Sequence, residues 1–102
     1  MKIQISVSAN DFVYNISVDT KSNFFVCNGK TKKTDIHMFK EKLFDIIFCW
    51  DQNMVVKTIT DAQTYKISVQ NNNENITFVG KGKYPPNYNQ FIELLKEVDI
   101  SE

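Results

Sequence analysis

Apolar and polar side chains alternate from the first residues of the chain, with Ile3, Ile5 and Val7 on one face and Lys2, Gln4, Ser6 and Ser8 on the other. A period of two with one wet face predicts a strand over residues 2 to 8. Asn10-Asp11 supplies a turn, after which Phe12, Tyr14, Ile16 and Val18 repeat the alternation in a second strand. Asp19 to Ser22 reverses the chain again. Residues 23 to 27 are then expected to form a third strand, although Phe24, Phe25, Val26 and Cys27 are all apolar and no period chooses their facing.

The period next changes from 2 to 3.6. Ile36, Phe39, Leu43, Ile46, Ile47 and Trp50 recur at the spacing of one helix face, with Thr34 or Asp35 as N-cap. Met38, Phe44 and Phe48 widen that stripe, which predicts a deeply packed helix. Beyond Asp51-Gln52-Asn53 the strand pattern returns three times, in Met54/Val56/Thr58, Tyr65/Ile67/Val69 and Ile76/Phe78/Gly80. Turns are expected at Thr60 to Gln63 and Asn71 to Asn73. A last helix begins near Asn87, where Gln90 completes the spacing of a capping box and Pro85-Pro86 preset an extended entry. Its buried stripe is Phe91, Leu94, Leu95 and Val98.

The two halves echo one another. Tyr14-Asn15-Ile16-Ser17-Val18 returns as Tyr65-Lys66-Ile67-Ser68-Val69, and Phe39 and Leu43 match Phe91 and Leu95 one residue further on. Placing that one-residue slip before the third strand aligns Phe24 and Val26 with Ile76 and Phe78. On that alignment Phe24 and Val26 point inward, while Phe25 and Cys27 point outward. The expected fold is a single α+β domain over residues 1–102, a two-layer sandwich. It has a six-stranded, mainly antiparallel sheet with two helices on one face, built as a βββα-βββα internal repeat of halves near 1–50 and 51–99.

Composition adds mainly exclusions. Each half is too small to bury an adequate core by itself, so the halves should share one. Twelve lysines and twelve carboxylates cancel, which removes a global field for steering towards nucleic acid or membrane. No arginine is present, so the side chain best suited to bidentate reading of guanine or phosphate is missing. The opening alternation leaves no apolar run of signal-peptide type, and no stretch approaches a membrane span, so a cytoplasmic location is expected. The wealth of Lys, Asn and Ile fits an AT-rich coding sequence, as in a low-GC bacterium or a mobile element. Cys27 and Cys49 lie at neither metal nor CxxC spacing and are expected to be reduced and buried.

The least generic segment is Gly80-Lys81-Gly82-Lys83-Tyr84-Pro85-Pro86-Asn87-Tyr88, a basic strand-to-helix junction whose glycines permit close backbone approach. Its counterpart, Asn28 to Thr34, carries Lys30, Lys32 and Lys33. An anion site formed by Lys30, Lys32, Lys33, Lys81, Lys83, Tyr84 and Tyr88 competes with ordinary loops and capped helix ends. Gly29-Lys30-Thr31 resembles the end of a Walker A loop but lacks the glycine five positions earlier, where Phe24 stands. His37 and the helix carboxylates read as solvated surface, and neither catalytic residues nor a metal or cofactor site are expected. On the outward sheet face Val13, Phe25, Val55, Ile59 and Val79 form either a contact surface or, if the sheet curls, part of a core.

The function expected is that of a small non-enzymatic binding protein, such as an accessory or inhibitory factor, contacting another protein or a second copy of itself. The alternative is binding of nucleic acid or a phosphorylated ligand at the lysine junctions.

Overall fold

Alternation becomes strand at the first, second, fifth and sixth expected strands, whereas Val56 and Thr58 of the fourth and the turn at Thr60 to Gln63 lie outside the described residues. The strands are β1 (Lys2–Ser8), β2 (Val13–Asp19), β3 (Phe24–Cys27), β4 (Lys30–Thr31), β5 (Asn53–Val55), β6 (Thr64–Asn71) and β7 (Glu74–Lys81). The helices are α1 (Ile36–Ile47) and α2 (Tyr88–Ile100). The computed structural model describes residues 1–9, 12–33, 35–48, 50, 53–55, 64–71, 74–81, 85 and 87–100, with the backbone alone for 53–55.

Six strands pair antiparallel in the order β4-β3-β2-β1-β6-β7, and β5 joins the β7 edge in parallel. β1 lies centrally: Ile3, Ile5 and Val7 face Val18, Ile16 and Tyr14 on one side and Val69, Ile67 and Tyr65 on the other. All nine are buried, because cross-strand partners in register share one face of the sheet. The fold is therefore α+β, with its core between that face and two helices. Phe39 of α1 meets Phe25 edge to face at 4.9 Å, and Tyr88 at the start of α2 lies 5.5 Å from Tyr65. The far end of α2 reaches β3, where Asp99 lies beside Cys27. Thus α2 crosses obliquely from β6 to β3.

Three details depart from expectation. The second half does not repeat the three-stranded meander of the first, since β5 pairs with β7 in parallel instead of leading into β6. The outward facing of Phe25 and Cys27 is reversed: Val18 pairs with Phe25 and Ile16 with Cys27, which carries both side chains into the core. Phe24 pairs with Asp19 and stands 47% exposed. A one-residue shift of register flips every side chain of a strand, and the slip between the halves falls after β3, not before it. Finally, the residues 28–33 do not form a simple loop. Asn28 (φ 51°) and Gly29 (φ 81°) adopt the paired left-handed conformations of a tight hairpin turn, and β4 follows.

The helix ends obey local chemistry. Asp35 has extended backbone and accepts a hydrogen bond from the Met38 N–H at 3.2 Å, so it is the N-cap of α1. Met38 and Phe48 are exposed, which makes the buried stripe of α1 narrower than its run of apolar residues implied. Trp50 lies past the helix yet is buried, within 6.2 Å of the rings of Tyr65, Tyr88 and Phe91. Asn87 sits at φ 65° rather than in the extended backbone of the expected capping box. Gly80 faces Tyr65, and a Cβ there would collide with the Tyr65 ring, so glycine is what lets that ring pack over β7.

Candidate functional site

The helices cover one sheet face, and the other carries the polar half of each alternation. Gln4 lies between Ser17 and Ser68, and Ser6 lies between Asn15 and Lys66, by the same registers that bury Ile3 and Ile5. These six short or slender side chains line a depression of about 250 Å³ over the middle of the sheet. Within it the Ser6 hydroxyl donates to Asn15 Oδ1 at 3.3 Å. The surface offers many hydrogen-bond donors and acceptors and one cation, a chemistry of recognition. Outward apolar residues are dispersed around it. Val13 (50% exposed) on β2 and Val79 (38%) on β7 are separated by β1 and β6, and Phe24 stands near the opposite edge. Phe25, expected in this set, is a core residue at 1% exposure. Ile59 and the Val55 side chain lie outside the described residues.

The β2 edge of this face is closed by one side chain. Asn28 accepts from the Asn15 N–H at 2.8 Å through Oδ1, donates to the Val13 carbonyl at 3.1 Å through Nδ2, and its own N–H donates to the Asn15 carbonyl at 2.8 Å. Those bonds continue the ladder past the end of β3 and occupy edge groups that would otherwise invite another strand. Asn28-Gly29 flanked by strand residues was the legible signal for this hairpin.

Among the described residues the lysine junctions do not converge. Lys30 is exposed on β4, and Lys81 is exposed five strands away on β7, about 24 Å at the usual strand spacing. Lys32 is committed to structure: its Nζ donates to the Asp99 carbonyl at 2.9 Å, satisfying an open acceptor in the last turn of α2. Lys33 borders a cavity of about 520 Å³ with Thr20, Asn23, Asp35, His37 and Lys40. There the carboxylate of Asp35 already caps the helix, and His37 pairs with Glu41 at 3.1 Å along the exposed surface of α1. Tyr88 is a buried member of the aromatic cluster around Trp50. Lys83 and Tyr84 lie outside the described residues.

Cys27 is fully buried, with Sγ 3.8 Å from Asp99 Oδ1. Burial, reinforced by the Asp99 charge and opposed by Lys32, raises its thiol above the ordinary range, so it stays protonated and a poor nucleophile. Cys49, the other thiol, is outside the described residues. Among the described residues no three His, Cys, Asp or Glu side chains gather as metal ligands, and no helix is long and apolar enough to cross a membrane.

Charge is divided between the layers. Among the described residues the strands and their turns carry seven lysines against two carboxylates, whereas the helices with the Asp35 cap carry six carboxylates against three lysines. The balanced total of the chain conceals this polarity. Comparisons with family models, with characterised proteins and with solved structures found no match.

Proposed function

We propose that the protein is a non-enzymatic binding module that receives a macromolecular partner on its uncovered sheet face. One observation carries the reading: the polar platform of Gln4, Ser6, Asn15, Ser17, Lys66 and Ser68 is pinned on three adjacent strands, β2, β1 and β6, over the buried core. Rigid strands hold such side chains at fixed spacing with little ordering cost on binding, which favours recognition. The closed β2 edge adds support, because it directs contact to the face of the sheet instead of its backbone rim on that side.

The test is affinity capture from the native host, comparing wild type with the Ser17→Arg/Ser68→Arg double variant. Both positions point outward, so the variant keeps the core. The expected result is loss of the captured partner from the variant and its retention by Lys96→Glu, on an exposed helix position. Equal capture by all three proteins places the contact elsewhere.

The polarity of the layers favours a second reading, an extended polyanion lying across the basic strand layer. With Lys30 and Lys81 five strands apart, a polymer suits this layer better than a single phosphate. Lys30→Glu/Lys33→Glu/Lys81→Glu is expected to elute earlier from a polyanion column, with a reduced salt slope. Unchanged retention removes this reading and leaves the first intact.

A further inference from the structure

The helical layer carries a groove of its own, on the side of the molecule away from the polar sheet face. Two adjoining cavities of about 210 and 310 Å³ run between α1 and α2 and share Lys42, Leu94 and Glu97 in their walls. The floor is apolar, formed by Phe39, Ile46, Leu94 and Val98, while Met38 stands at the side with 52% of its surface exposed. Along the rim are Asp35, Asp45, Glu93 and Glu97, against the single ammonium of Lys42. Four carboxylates against one lysine, in a chain of zero net charge, mark this groove as a local acidic pole.

We infer that the groove between α1 and α2 docks a basic amphipathic helix from a partner protein, with apolar residues one turn apart in the groove and lysines or arginines against its rim. Three features select that occupant. The wall from Met38 to Asp45 is about 10 Å long, two helical turns, so it matches anchors at i and i+4. Each cavity exceeds the roughly 150 Å³ that accommodates a benzene-sized group, enough for one aliphatic side chain. Methionine at the side is flexible and polarizable, and it adapts to the shape of an incoming residue. An acidic helix is repelled by the rim carboxylates and a neutral one leaves them unpaired, and that difference gives the groove its selectivity.

The probe is a labelled synthetic helix of about 14 residues with leucines on one face and lysines elsewhere, paired with a version in which glutamates replace the lysines. Fluorescence anisotropy is expected to show salt-sensitive binding of the lysine peptide alone. Amide shifts on binding should concentrate at Met38, Lys42, Gln90, Glu93 and Glu97. Glu93→Gln/Glu97→Gln should weaken binding about tenfold or more, Met38→Ser should weaken it as well, and Lys66→Gln on the sheet face should leave it unchanged. All four substituted side chains are exposed, and circular dichroism confirms that each variant folds. Equal affinity for both peptides overturns the proposal, as does absence of binding to wild type. So does binding that depends on the carboxylates and ignores Met38, because that is charge attraction without docking. Self-association abolished by Met38→Ser overturns it in favour of a second copy of the chain.

Discussion

In the β2–β3 hairpin Val18 faces Phe25 and Ile16 faces Cys27, and in the β6–β7 hairpin Val69 faces Ile76 and Ile67 faces Phe78. The registers are the same, at a constant spacing of 51 residues along the chain. Their burial is not. Phe25 and Cys27 are sealed beneath α1 and the end of α2, whereas Ile76 is 41% exposed and Phe78 only partly covered. Strand pairing determines which way a side chain points, but the element above it determines whether water is excluded. At the opposite end of β7 the cover is local: Tyr65 lies over Gly80, and Trp50 and Tyr88 pack against Tyr65. One hairpin is thus closed along its length, and the other is closed by rings at one end only.

The sharpest way to break this comparison is to truncate the matched pair. Phe25→Ala is expected to cost about 3–5 kcal/mol, and Ile76→Ala about 1 kcal/mol, because the first leaves a cavity and the second removes surface already in contact with water. Urea denaturation of both variants reads the difference, and similar losses would show that β7 is as well covered as β3. Next in size is Gly80→Ala, expected to cost about 1–3 kcal/mol as the new methyl displaces the packed Tyr65 ring. Tyr65→Leu in the same protein should recover part of that cost, and strict additivity in the double-mutant cycle would mean that the two sites are not in contact.

Asn28 sharpens the comparison at the edge of the first hairpin. Asn28→Gly keeps the left-handed turn but removes both side-chain bonds to β2, for an expected loss of about 1 kcal/mol. Hydrogen exchange at the Asn15 amide is the direct measurement, and an unchanged rate would mean that the side chain does not protect the edge. The smallest effect lies in the turn before β3. The Lys21 N–H donating to Asp19 Oδ1 at 3.0 Å holds that carboxyl below its usual value near 3.8, opposed by desolvation and assisted by Ser22. A depressed folded pKa means stability that is present above the unfolded value and is lost as pH falls through the folded one. Stability of wild type should therefore fall slightly more than that of Asp19→Asn between roughly pH 5 and pH 2, and parallel curves would assign acid sensitivity to other carboxylates.

Much of the core was legible before any fold was known. The positions matched between the halves, Tyr14 with Tyr65, Ile16 with Ile67, Val18 with Val69, Phe39 with Phe91 and Leu43 with Leu95, are all buried. Ile76 and Phe78 also lie on the expected face. The candidate sites were less legible. The two lysine junctions are held five strands apart, Lys32 is drawn to a helix end, and Tyr88, one residue past its turn, enters the aromatic cluster. The polar platform was present as the outward half of each alternation, but only strand order places Gln4, Ser17 and Ser68 side by side. The interhelical groove needs residues from two helices some fifty positions apart, so no local pattern contains it.

By itself, the sequence determined the α+β character, the inward faces of β1, β2, β6 and β7, and the buried stripe of both helices. These follow from local geometry, two residues per pleat and 3.6 per turn, and need no knowledge of neighbours. Tertiary structure alone decided that β1 is central, that β5 lies parallel at an edge, and that Phe25 and Cys27 rather than Phe24 and Val26 enter the core. A run of four apolar residues carries no period, so its facing waits for the ladder of hydrogen bonds that joins it to β2.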